Sequence, residues 1–279
     1  MKAGILYFSG TGVTGYVARS IAEGLERGAC EVELIRFRQG VHFDPSLYDL
    51  IGFGAPTYSF FPPRIFYRFL KNLPADRGGS AGKRIFLFNT SHHMPGITVR
   101  AMFRAVSRKG WALAAPPLLV KGVNNIRAWR FPRDRHPPRD TLRGLPGIDR
   151  LVEGLLEPGG GSAAASAPYT SAGRRGDPAL RKRPGLGFFT ALFSWDWEMA
   201  LVEGFGKRID EKKCTRCGRC AEIFCPSGAI TTDSASGYPR IRNLRCVGCS
   251  GCLNLCPAEA IFTAAGAKRW PLTKFRNFL

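Results

Sequence analysis

Eight of the nine cysteines in this 279-residue chain fall between positions 214 and 256. They form two runs, CTRCGRCAEIFCP from Cys214 to Pro226 and CVGCSGCLNLCP from Cys246 to Pro257. So many thiols in C-x-x-C units over so short a stretch indicate metal ligation rather than a framework of disulfide bridges. The runs are also an internal repeat. Cys214, Cys217 and Cys220 map onto Cys246, Cys249 and Cys252 at an offset of 32, whereas Cys225 and Pro226 map onto Cys256 and Pro257 at an offset of 31. One extra residue therefore lies between Cys220 and Cys225. In a helical turn one insertion rotates every later side chain by about 100°, so Cys225 reaches a shared site only if AEIF (Ala221 to Phe224) bulges, as a π-type turn or a loop. Pro226 and the pair Ala229–Ile230 stay in phase with Cys225, which favours a working ligand. The alternative is a site left with three cysteines.

Three cysteines at two-residue gaps let a loop wrap one face of an iron–sulfur cube. Gly218, Gly248 and Gly251 between them allow backbone N–H groups close to the sulfurs. Ile230 and Ile261 are placed to cover the sites with apolar surface. On these residues the stretch from about 207 to 265 resembles bacterial-type ferredoxins with two [4Fe–4S] clusters. The resemblance implies that Cys214, Cys217, Cys220 and Cys256 bind one cluster, and that Cys246, Cys249, Cys252 and Cys225 bind the other. If either cluster is the weaker, the inserted residue points to the one Cys225 completes. A zinc module also uses C-x-x-C pairs, but two interlocked triplets each closed by Cys-Pro speak against it.

The first 125 or so residues alternate strand and helix patterns. KAGILYF, CEVELIRF, YDLIGFGAP, KRIFLFNTS and PPLLVKGV read as strands, and VTGYVARSIAEGLE, RIFYRFLKNL and ITVRAMFRAVSRKG as helices. Such alternation predicts an α/β fold with a doubly wound, five-stranded parallel sheet covered on both faces. The turn SGTGVT, Ser9 to Thr14, joins the first strand to the first helix. Its hydroxyls at Ser9, Thr11 and Thr14 alternate with Gly10 and Gly12, and its backbone N–H groups with the helix N-terminus could cradle a phosphate. The turn has no lysine, which excludes the usual nucleotide-hydrolysing loop. ILYFSGTGVTGYVARSIAEGL resembles the phosphate loop of flavodoxins, over residues 2 to about 125, and this implies FMN as cofactor. Ligands in such a sheet bind at the carboxyl ends of the strands. The resemblance therefore places Pro56, Thr57, Tyr58 and Ser59 on one side of the flavin ring, with Tyr58 stacking, and Thr90, Ser91 and Gly96 on the pyrimidine side. Val13 stands where flavodoxins often carry Asn, so its backbone N–H is what the loop would use. His92 and His93 are candidates for proton transfer beside the ring, against the plainer reading of solvated loop histidines. His42 and His136 carry no signal, and Cys30 reads as a small buried residue at a strand start.

The expected domains are 1–157, flavodoxin-like and FMN-binding; 158–187, a Gly/Ala/Pro-rich linker; 188–206, a docking helix; and 207–279, a small α+β domain with two [4Fe–4S] clusters. The docking helix carries Phe188, Leu192, Trp195, Met199 and Val202 on one stripe, suited to burial within the protein, or less so to a membrane surface. IDRLVEGLLE reads as one more helix. Lys and Arg number 41 against 21 Asp and Glu, a formal charge of +20. No nucleic-acid motif accompanies that charge, and part of it can neutralise anionic clusters and phosphate. An acidic redox protein is the expected partner. No run of about 18 uncharged apolar residues occurs, and the thiol usage fits a reducing, cytoplasmic setting. The expected function is electron transfer between the clusters and FMN, coupling one- and two-electron steps with a protein partner. A flavin-dependent reductase of a small molecule or second cofactor, fed by the clusters, stays open as the alternative.

Overall fold

Strand β1 (Lys2–Tyr7) is buried beyond its first residue, as expected of a strand covered on both faces. It pairs in parallel with β2 (Glu31–Arg36) on one side and β3 (Leu50–Pro56) on the other. β3 pairs in parallel with β4 (Arg84–Ser91). The fifth position is shared by two short segments, β5 (Ala112–Leu113) and β6 (Leu118–Lys121), which pair with successive stretches of β4. Pro116 and Pro117 lie between them, and proline cannot donate to a ladder. The order β2-β1-β3-β4-β5 is the flavodoxin-like doubly wound order, whose switch point lies between β1 and β3. This computed structural model describes residues 1–58, 60–75, 83–91, 96–121, 146–157 and 206–263. Ser59, His92, His93, His136, the linker 158–187 and the stripe Phe188, Leu192, Trp195, Met199 and Val202 lie outside the described residues.

Helices α1 (Val13–Arg27), α2 (Arg64–Asn72), α3 (Thr98–Ser107) and α4 (Pro146–Leu156) cover the sheet. Val17, Ile21 and Leu25 of α1 meet Phe86 and Phe88 of β4 and Ile148, Leu151 and Leu155 of α4 in one apolar layer. On the opposite face Phe66 and Leu70 of α2 and Val99, Met102 and Val106 of α3 pack on Leu6, Ile51 and Phe53. β2 lies at the edge, and its Val32 and Leu34 join the first layer while Ile35 joins the second, the period-two alternation of a strand.

The cysteine-rich part holds β7 (Lys207–Ile209), β8 (Ile230–Thr232), β9 (Pro239–Ile241), the short helix α5 (Gly251–Leu255) and β10 (Ile261–Thr263). β7 and β10 pair antiparallel, as do β8 and β9. Their interior consists largely of the cysteines themselves with Phe224, Ile230, Leu253, Leu255 and Ile261. A core this small needs another source of stability, and bound metal is one that cysteine ligands provide.

Candidate functional site

Two cavities open within the cysteine-rich part. The first is lined by Cys214, Cys217, Cys220 and Cys256, with Ile209, Phe224 and Ile261. The second is lined by Cys225, Cys246, Cys249 and Cys252, with Lys207, Ile230 and Val247. They hold about 370 and 300 Å³ of unfilled space, counting their mouths. Each cavity thus takes three cysteines from one run and the last cysteine of the other. The inserted residue is absorbed by a π-helix over Cys220–Phe224, in which Cys225 N–H donates to Cys220 O, five residues back, at 3.1 Å. In the regular run Cys256 N–H donates to Cys252 O, four residues back, at 3.2 Å. The wider turn keeps Cys225 buried and on the second cavity, where its sulfur accepts from Ala229 N–H at 3.2 Å.

The donor set suits a polynuclear cluster. Among the described residues no three His, Cys, Asp or Glu side chains converge closely enough for a single ion. The thiols surround a volume instead, which a cube of iron and sulfide fills and one zinc ion does not. Burial pushes the Cys220 thiol up to about 11 and the Cys249 thiol up to about 12, and raises Cys252 well above its ordinary value. Thiolates at such positions need bound cations to offset their desolvation. Lys207, itself buried, reaches Cys246 Sγ with its ammonium at 3.6 Å. The first cavity is open on one side, where Cys217 is exposed.

The glycine turn lies at the carboxyl end of β1, beside the switch point. Ser9, Thr11 and Thr14 are buried. Gly12 has φ 102, a left-handed conformation that glycine adopts freely. Its N–H donates to Ser9 Oγ at 3.1 Å, and Thr14 Oγ1 lies 2.8 Å from Thr90 Oγ1. No acidic residue stands in the first turn of α1, so nothing opposes an anion at this helix N-terminus. These are the residues that would hold a phosphate monoester. Thr90, expected on the pyrimidine side, here braces the phosphate turn.

Of the other expected ring contacts, Thr57 N–H donates to Thr90 O at 2.9 Å, and Tyr58 and Phe61 exchange backbone bonds at 2.8 and 2.9 Å. The first bond joins the end of β3 to β4, and the other two close the loop after β3 on itself. Gly96 (φ 56) sits against Phe60, whose carbonyl accepts from Ile97 N–H at 2.8 Å. Pro56 ends β3 and Ser91 ends β4. The Tyr58 ring lies edge-on to Phe8, with centroids 6.1 Å apart. His42 is exposed, and Cys30 is buried with its thiol 3.2 Å from Met1 O.

The structure adds residues that carry no local motif. Asn89 is buried and donates through Nδ2 to Ala55 O at 2.8 Å and to Thr57 Oγ1 at 3.0 Å, tying the two loops together. A polar residue inside an apolar strand is its one signal in the sequence. Arg36 donates to Ser9 O at 3.1 Å and to Ile223 O at 2.7 Å. Through such contacts the second cavity is set against the glycine turn: a Cβ on Gly10 would lie 2.7 Å from Cys249 O, and one on Gly251 would lie 2.5 Å from Gly10 O.

The profile of the 4Fe-4S dicluster domain matches residues 206–257. The chain is 43% identical over 53 residues to the pyruvate synthase subunit PorD of Methanocaldococcus jannaschii, covering 19% of this chain and 59% of that protein. It is also 43% identical over 61 residues to the indolepyruvate oxidoreductase subunit IorA of Methanothermobacter marburgensis, covering 22% of this chain and 9% of that one. Among solved structures, a flavodoxin from the domain Archaea aligns at 20% identity and a TM-score of 0.43, over 56% of this chain and 96% of its own. By its sheet order and the dicluster-domain match over residues 206–257, the chain joins a flavodoxin-like α/β domain to a 4Fe-4S dicluster domain. The dicluster match covers the cysteine-rich part of the chain, and the chain spans less than two thirds of the length of either curated relative. Among the described residues no helix is long and apolar enough to cross a membrane.

Proposed function

We propose that this chain couples one-electron and two-electron redox steps, with one [4Fe–4S] cluster in each four-cysteine cavity and FMN phosphate in the Ser9–Thr14 turn. The observation that carries the reading is the contact of Cys249, a lining residue of the second cavity, with Gly10 of that turn. When bound, the clusters pass electrons singly and the flavin holds one or two. The chain's own residues bind, orient and shield. Buried hydroxyls and the α1 N-terminus hold the phosphate. Ile209, Phe224, Ile230 and Ile261 keep water from the cavities. Lys207 places positive charge beside Cys246.

The first cavity is the port for an outside partner on this reading. Lys212, Lys213, Arg216 and Arg219 are exposed around its first three cysteines, against Glu211 and Glu222. A basic rim of this kind steers and orients an acidic redox protein. One relative is by name a pyruvate synthase subunit and the other an indolepyruvate oxidoreductase subunit, which supports a place beside a larger enzyme. The test is anaerobic purification with iron, sulfide and flavin counted per chain. About eight irons and one FMN are expected; zinc in place of iron, or no flavin, refutes the reading.

A further inference from the structure

We propose that the residue inserted in the first cysteine run is a docking device: its π turn leaves Ala221 O without an N–H donor, and Arg38 takes that carbonyl while Arg36 takes the helix-end carbonyl of Ile223, seating the second cavity on the glycine turn. The proposal rests on the reading above of what the cavity and the turn hold. In an α-helical turn Ala221 O would accept from Cys225 N–H; the π turn gives that N–H to Cys220 O instead, and the next residue, Pro226, has none to donate. Here Ile223 O accepts from Arg36 Nη1 at 2.7 Å and Ala221 O accepts from Arg38 Nη2 at 3.0 Å. Both carbonyls belong to the π-helix.

The receptors are built for the purpose. Arg36 and Arg38 lie two residues apart, at and just past the end of β2, and so share a side. The Arg36 guanidinium spans the junction, since its Nη2 donates to Ser9 O at 3.1 Å. Its Nε is buried with no hydrogen-bond partner, a cost accepted at a site where position matters. Gln39 N–H adds a backbone bond to Pro226 O at 2.8 Å, just beyond the π turn. Gly10 and Gly251 then allow backbone to meet backbone with no side chain between. The insertion and the arginines together decide which cavity faces the turn.

The experiment uses the full chain purified anaerobically with its cofactors, compared with Arg36→Met/Arg38→Met and, separately, with a deletion of Glu222 that restores regular spacing. Amide hydrogen exchange is followed in segments 8–16 and 220–226. Flavin reduction per bound flavin is timed after mixing with reduced methyl viologen, and cluster potentials and iron content are measured alongside. In both variants exchange should rise in both segments, and flavin reduction should slow on the order of 10- to 100-fold, the effect of misplacing reacting groups by about an ångström. Iron content should stay at the parent value, which separates positioning from loss of structure. Unchanged exchange and an unchanged rate in the arginine variant overturn the proposal. If that variant does not fold, Gly251→Ala wedges the same contact, and unchanged exchange there overturns it equally. A parent chain without iron or flavin sinks the functional reading; a parent with both but unmoved variants sinks the docking.

Discussion

Replacing Lys207 with Met should lower the reduction potential of one cluster and leave the other in place. The Lys207 ammonium lies 3.6 Å from Cys246 Sγ on the second cavity. At that range, with an effective dielectric constant near 20, the attraction to a unit charge is roughly 4–5 kcal/mol. An added electron spreads over the whole cluster, so its mean distance is larger and the stabilisation falls to roughly 2–3 kcal/mol. For a one-electron step 59 mV corresponds to about 1.4 kcal/mol, so the shift is on the order of 100 mV. The sign is downward, because removing positive charge disfavours the reduced form. The first cavity is touched by Arg216, but that side chain is exposed and its guanidinium is engaged with Tyr238, donating to its hydroxyl at 2.9 Å and lying 4.2 Å from its ring centre. Solvent screening leaves it little influence. Methionine keeps the length and packing of the lysine stem, and the bond from residue 207 N–H to Asn243 Oδ1, 2.8 Å, involves backbone only on that side. The assay is a potentiometric titration followed by electron paramagnetic resonance, resolving the two reduced clusters. Equal movement of both signals, or movement of neither, refutes the reasoning. On the proposed reading, the same bias would collect electrons on the cluster beside Gly10 in the parent chain.

Cys225→Ala should roughly halve the iron per chain and erase the cluster whose potential Lys207 controls; loss of the other cluster alone would show that the cavities are misassigned. Thr14→Val removes the hydroxyl pair with Thr90 (2.8 Å) and should weaken FMN binding by about 1 kcal/mol, five- to tenfold in Kd; titration of the flavin-free chain at parent affinity would refute that role. Burial, and then the hydrogen bond its hydroxyl donates to Glu33 Oε2 at 2.7 Å, raise the Tyr48 phenol above its ordinary value. The folded state therefore favours the neutral phenol, and this stability is intact below about pH 10, where the unfolded phenol ionises, and is lost as pH rises through the higher folded value. Tyr48→Phe should cost about 1–2 kcal/mol at neutral pH, and the gap in denaturant midpoint should narrow above about pH 10. A gap constant from pH 8 to 11 would contradict it.

What was legible in the sequence is what repeats or punctuates locally. The alternating strand and helix patterns delivered the sheet, and the Gly-hydroxyl turn delivered the cradle, because each is read over a dozen neighbouring residues. The cysteine spacing likewise exposed the inserted residue and the bulge it requires. Arg36, Arg38 and Lys207 carried no such mark. In sequence they are three cations among 41, and their partners lie 187, 183 and 39 positions away. The fifth strand position differed in detail for a local reason, since Pro116 and Pro117 interrupt its ladder and leave two short segments.

The inserted residue shows why local reading stops where it does. Judged within its own run, it can only harm: it moves Cys225 by a third of a turn, and the π-helix repairs the damage. Judged within the fold, the repair has a product, because the carbonyls of Ala221 and Ile223 now meet guanidinium groups from the edge of another sheet. A regular turn would satisfy Ala221 O through Cys225 N–H and leave Arg38 without that acceptor, an arrangement that disfavours docking. The irregular run and the arginine pair are therefore one feature, divided between two domains. It also bears on the site Cys225 completes. That site is the one held against the glycine turn on both sides of the junction, so its irregular turn is braced where the regular helix needs no bracing.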